Sequence, residues 1–243
     1  MQIKSIPLFI QVAETIKSRI INHEYSPGDS IPSAKALEIE FNVSNITIRR
    51  SIEKLTRGGY LIPKRGMRAL VAEQTNEIVE MEITGNFRTW INTALGRGLK
   101  VTAEIIDRQV LPCPEPIRKI LSLDPGEKVE RIKRVRKLRG IPISYFVNYG
   151  PSRLLTQLSS QEIETHTFLD IFQKVCKIKL KSMEQKVQAS SADMDLADIL
   201  YVDFGFPLFF VQNVYYSDKG LPMAITNMHY RSDKYVYTAK MNF

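Results

Sequence analysis

Residues 43–66, VSNITIRRSIEKLTRGGYLIPKRG, limit what this chain can fold into more than any other stretch. Ser44 stands where an N-cap is needed, and Ile48, Ile52 and Leu55 then recur at helical spacing, so a helix with one apolar stripe is expected. At 100° per residue its outward side carries Asn45, Ile46, Arg49, Arg50 and Glu53. Gly58-Gly59 stops that helix, and YLIPKRGMRALV reads as a hairpin with a cationic tip.

Upstream, Phe9, Val12, Ala13, Ile16, Ile20 and Ile21 form one stripe on a helix that starts just after Pro7. The turn chemistry of Pro27-Gly28-Asp29 ends that region. Ser33 is placed to cap a second short helix that buries Leu37 and Phe41. Helix, helix-turn-helix and two-stranded wing make a winged helix-turn-helix plan, whose third helix has the diameter of the DNA major groove.

Charge points the same way. Residues 1–72 hold 11 Lys and Arg against 6 Asp and Glu, so +5 of the net +8 lies in under a third of the chain, as a polyanionic partner requires. On the outward faces, Arg49 can offer two donors to guanine O6 and N7, and Asn45 one donor and one acceptor to adenine. Lys35, Ser44, Thr47 and Arg68 read as phosphate contacts, Arg50 extends the basic face, and Arg65 suits a minor groove.

These segments resemble the N-terminal DNA-binding domain of the GntR family of bacterial transcription regulators over about residues 5–72. PLFIQVAETIKSRI, YSPGDSIPSAKALEIEFNVSNITIRRSIEKL and GGYLIPKRG carry the likeness. The resemblance places Lys35, Ser44, Asn45, Thr47, Arg49 and Gly66 at DNA-contacting positions. The family's usual P-S-E-R-E-L is Pro32-Ser33-Ala34-Lys35-Ala36-Leu37 here, and its usual Ser-Arg is Ser44-Asn45.

The acidic, polar run AEQTNEIVEME predicts a linker over 73–82 between the reader at 1–72 and a second domain at 83–243. That second domain alternates β-rich segments with short helical stretches near 86–97, 114–121, 167–175 and 191–200. Its hairpins turn at Arg139-Gly140 and Asp218-Lys219-Gly220. An α+β domain around an antiparallel sheet is expected. VERIKRVRKLRGIPISYF, ADILYVDFGFPLFFVQNVYYSDKGLPMAI and RSDKYVY resemble the UTRA effector-binding domain of the HutC branch, a fold similar to chorismate lyase.

In ERIKRVRKL, Ile132, Arg134, Arg136 and Leu138 share one strand face by period two, and two guanidiniums between apolar neighbours suit a carboxylate or phosphate. The resemblance makes Arg134 and Arg136 anion ligands, sets Tyr235 near the pocket, and adds Arg88 and Thr89. Phe146 and Leu169 stand where the family often has an acidic residue and a tyrosine, which points to an effector less polar than a sugar phosphate.

Other chemistry is poorly represented. Cys113 and Cys176 are far apart, His23, His166 and His229 lack ligand spacing, and there is no nucleophile motif, P-loop or dinucleotide fingerprint. No catalytic residue, metal or cofactor is expected. With no signal peptide and no apolar run long enough to span a bilayer, a cytoplasmic protein without membrane contact is expected. The expected function is a ligand-responsive regulator, a repressor released by an anionic effector and acting as a homodimer on a pseudo-palindromic operator in double-stranded DNA. The rival is a chorismate-lyase-like enzyme acting on a small carboxylate.

Overall fold

A computed structural model describes residues 6–64, 68–72, 79–82 (backbone only) and 101–239. The chain forms two compact units, Met1–Glu77 and Ile78–Phe243.

In the first unit, α1 (Leu8–Ile21) follows Pro7 and buries Val12, Ala13, Ile16 and Ile20. Ser33 caps α2 (Ala34–Phe41) by accepting from the Ala36 amide, and Asn42 closes it in the left-handed conformation. Ser44 caps α3 (Asn45–Arg57) through the Thr47 amide. At its end Gly59 takes φ +81°, its amide bonds Thr56 O at 3.0 Å, and the Tyr60 amide bonds Leu55 O at 2.9 Å. This is a Schellman closure, and the left-handed residue in it is the second glycine of the expected stop. The wing follows as β1 (Leu61–Ile62) and β2 (Leu70–Val71), paired antiparallel. Ile16, Leu37, Ile48, Leu55 and Leu61 meet in one core, so α3 is held from both flanks. Ser51 Oγ, 2.8 Å from Phe9 O and 2.9 Å from Thr47 O, shares its one proton between them and ties α3 to α1.

The second unit is built on a six-stranded antiparallel sheet in the order β4-β5-β6-β9-β8-β7. Its strands are β4 (Val101–Pro112), β5 (Lys128–Leu138), β6 (Ile141–Pro151), β7 (Leu180–Ser191), β8 (Pro207–Ser217) and β9 (Pro222–Arg231). The β5–β6 hairpin turns at Arg139 and Gly140, both at positive φ, the two-residue geometry that follows strand twist.

Short helices cover both faces. On one face, α4 (Glu115–Leu121) packs Ile117 and Leu121 against Val129, Val214 and Ile225, and α8 (Met194–Leu200) packs Leu196 and Leu200 against Tyr145 and Leu208. The other face lies under α5 (Ser152–Leu155), α6 (Ser160–Thr165) and α7 (Phe168–Asp170), the last continued by one π-helical turn, Ile171–Val175.

The two hairpins and three of the four expected helical stretches are where the sequence places them; the fourth, 86–97, lies outside the described residues, and α5 and α6 were not expected. The linker differs too. Val79–Glu82, expected at its C-terminal end, forms β3 and pairs in parallel with β10 (Tyr235–Thr238). Residues at opposite ends of the unit pair there, and a local polar composition gives no sign of it.

Candidate functional site

The reader presents its polar face as the helical period requires. Asn45, Ile46, Arg49, Arg50 and Glu53 are exposed, while Ile48, Ser51 and Leu55 point inward. Among the described residues Arg49 and Arg50 bond to no side chain of the protein, and Arg68 and Lys64 on the wing are exposed. Arg65 and Gly66 lie outside the described residues. Ile46, 62% exposed beside these cations, offers an apolar surface of the kind that meets a thymine methyl.

The N-terminal turn of α3 is cross-linked to α2. Ser44 Oγ and Thr47 Oγ1 are 2.9 Å apart, Lys35 Nζ lies 3.5 Å from Glu38 Oε2, and Asn45 Nδ2 donates to Glu38 Oε1 at 2.5 Å. Glu38 was not singled out from the sequence. Its spacing, three residues after Lys35 and seven before Asn45 across the turn, is the signal that could have found it.

In the second unit, β5 and β6 bring the arginine pair together. Arg134 is opposite Phe146 and Arg136 opposite Ser144 in the antiparallel register. The guanidinium carbons lie 6.0 and 4.7 Å from the Phe146 ring centroid. Arg134 is buried, its Nη1 donating to Ile163 O at 2.5 Å and His166 O at 3.2 Å and its Nε to Asn148 Oδ1 at 3.2 Å. Among the described residues no carboxylate pairs with it. Burial first, and the charge of Arg136 second, push its pKa down to about 9, so it is still a cation at neutral pH.

Tyr235 completes the group. It is buried, its hydroxyl lies 3.2 Å from Ser144 Oγ, it also bonds Arg136, and burial pushes its pKa up to about 12. A polar row continues across the sheet through Asn148 Nδ2 to Thr226 Oγ1 at 2.9 Å, and through Gln185 Nε2 to Asn213 Oδ1 at 3.0 Å. Ser144 and Asn148 escaped the sequence reading, although they alternate with Phe146 on one strand face. Arg88 and Thr89 lie outside the described residues.

One expectation needs refining. Arg134 was expected purely as a ligand, yet it also holds the backbone after α6 through Ile163 O and His166 O. Carbonyls some thirty residues downstream cannot be read from a strand's own period.

Among the described residues no helix is long and apolar enough to cross a membrane, and no three His, Cys, Asp or Glu residues are placed to hold a metal.

Comparison with known proteins agrees with both units. Residues 9–71 match the bacterial regulatory proteins of the gntR family, and residues 96–236 match the UTRA domain. The chain is 24% identical over 211 residues to the HTH-type transcriptional repressor NagR of Bacillus subtilis, covering 87% of this chain and 85% of that protein. It is 25% identical over 181 residues to the mannosyl-D-glycerate transport/metabolism system repressor MngR of Escherichia coli, covering 74% and 73%. PhnF from Mycobacterium smegmatis shares the fold with TM-score 0.61 and 20% identity over 95% of this chain and 99% of that one. YydK from Bacillus subtilis does so with TM-score 0.58 and 20% identity over 98% and 100%. These relatives are named as regulators, which decides against the lyase-like enzyme. The chain belongs to the GntR family of transcriptional regulators, with a winged helix-turn-helix DNA-binding unit followed by a UTRA domain.

Proposed function

We propose that this regulator is a repressor whose affinity for its operator falls when a small anionic metabolite binds against Arg134 and Arg136. The observation that carries the reading is Arg134 itself. It is a buried cation with no carboxylate partner among the described residues, beside a second guanidinium over the same phenyl ring. A buried unpaired charge is costly, and an anion offsets that cost while bonding both forks. Ser144, Tyr235 and Phe146 give the site a neutral polar side and an apolar wall, which fits a carboxylate or phosphate on a partly apolar body. MngR is named for a system that handles a glycerate derivative, whose carboxylate is of this class.

The reader binds double-stranded DNA through α3 and the wing. A homodimer on a pseudo-palindromic site is the arrangement that doubles a contact of only a few base pairs, and it would act in the cytoplasm. Because the coupling is a free energy, anion and operator alter each other's affinity by the same factor. The test is a thermal-shift screen of carboxylates and sugar phosphates, followed by operator binding with each hit. The reading expects a hit that raises the melting temperature, weakens operator binding, and loses both effects in Arg136→Ala. Hits that stabilise Arg136→Ala as strongly as the wild type would move the pocket elsewhere.

A further inference from the structure

We propose that Glu38, which does not belong to the recognition helix, sets the base preference of Asn45. It does so by holding the Asn45 amide in one orientation against DNA, and its charge also discourages binding to sequences that are not the operator. The inference rests on the reading of α3 as the recognition helix.

A carboxylate only accepts hydrogen bonds, so the atom of Asn45 that faces Glu38 must be the amide nitrogen. That contact decides which way the amide is turned and leaves Oδ1 and one remaining N–H for a partner. One acceptor beside one donor is the complement of the N6 and N7 edge of adenine. Without the tie, the exposed Asn45 side chain can turn over, present donor and acceptor in the opposite order, and bond other bases. Glu38 is itself anchored, with its side chain only 17% exposed and Lys35 Nζ at 3.5 Å from its second oxygen. A short side chain fixed to a helix is a more selective reader than one ordered only on binding.

The second effect follows from charge. On the face that meets a polyanion, Glu38 is a carboxylate that every DNA sequence must approach, whereas only the cognate site offers a base contact in return. Specificity is a difference of affinities, and a repulsive element common to all sequences lowers the non-cognate background. The net effect is a wider ratio between operator and random DNA.

The experiment is selection of DNA from a random duplex library by the full-length protein, followed by measured affinities for the selected site and its single-base variants. The wild type should enrich adenine at one position per half-site. Glu38→Ala should relax that preference by about tenfold, the size expected from one bidentate base contact, and should bind random DNA more tightly than the wild type. Asn45→Ala should lose preference at the same position, and the double variant should be no worse there than Asn45→Ala alone. Glu38→Gln, which removes the charge and can donate to Asn45 as well as accept from it, should restore the adenine preference only in part while keeping the raised affinity for random DNA. Glu38→Ala retaining the wild-type motif, or the two single variants losing preference at different positions, would overturn the proposal. So would Glu38→Gln binding random DNA no more tightly than the wild type. A library from which the wild type enriches nothing would overturn the DNA reading itself, and the proposal with it.

Discussion

Arg134 and Phe146 face each other across β5 and β6, and the ring that Arg134 covers at 6.0 Å is covered by Arg136 at 4.7 Å. Like charges are thus held together over an apolar surface, with the deeper one bonded to carbonyls and an amide instead of a carboxylate. On the proposed function, an anion bound between them would relieve an unfavourable arrangement that the fold has already built.

The two arginines should therefore respond differently to truncation. Arg134→Ala removes bonds to Ile163 O, His166 O and Asn148 and should destabilise the domain, by about 1–3 kcal/mol for each acceptor left buried without a partner. Arg136→Ala should abolish the response to the anion at a smaller cost in stability. Urea unfolding of both variants checks this, and equal losses of stability would contradict it.

The depressed pKa of Arg134 predicts a pH effect that sulfate, whose charge is constant over this range, can report. As pH rises through about 9 the folded protein loses the Arg134 charge, so stabilisation by sulfate should decline. The unliganded protein should move the opposite way. Above about 9, the unfolded chain, whose guanidinium has the ordinary higher pKa, keeps a proton that the folded chain has released, so this group's contribution to stability rises with pH. Melting curves at fixed sulfate from pH 7 to 10 test both signs, and a sulfate effect undiminished at pH 10 would count against Arg134 as the anion's partner.

In the reader, Ser51→Ala should loosen α3 from α1 by removing the bond to Phe9 O. A hydrogen bond of this kind contributes about 1 kcal/mol, which in a domain of this size lowers Tm by roughly 4–8 °C. Calorimetry should show the loss in the transition of the N-terminal unit. An unchanged transition would mean that packing alone holds α3 in place.

Much of the fold was legible because its signals are local. Ser33 and Ser44 cap the helices they precede, Gly59 takes the left-handed position after α3, and Arg139-Gly140 forms the two-residue turn. Period two placed Arg134 and Arg136 on one face, and the hairpin register then delivered Phe146 and Ser144 opposite them. What was not legible depends on partners distant in sequence. The parallel pairing of Val79–Glu82 with Tyr235–Thr238 joins the two ends of a unit, and the carbonyls that hold Arg134 come from the segment around α6. The Glu38–Asn45 tie was hidden for a different reason, since a glutamate on a short amphipathic helix ordinarily reads as a solvated residue.

Phosphate contacts and base contacts should separate in salt. Lys35→Ala should weaken binding to all sequences and reduce the slope of log K against log salt by about 1, with any change of base preference confined to the position read by Asn45, whose partner Glu38 loses its ion pair. Titrations of selected and random duplexes over a range of salt measure it. A Lys35→Ala variant with a motif altered at any other position and an unaltered slope would make Lys35 a base contact instead.

The most direct test of the account is fluorescence anisotropy of the wild type and Arg49→Ala on a duplex carrying the selected operator and on a scrambled duplex of the same composition. Arg49 is exposed on the outward face of α3 and bonded to no side chain among the described residues, so the substitution should leave folding intact. It should cost about 1–3 kcal/mol on the operator and much less on scrambled DNA, so that the two affinities converge. Wild-type discrimination that survives in Arg49→Ala would contradict the assignment of α3 as the helix that reads the operator.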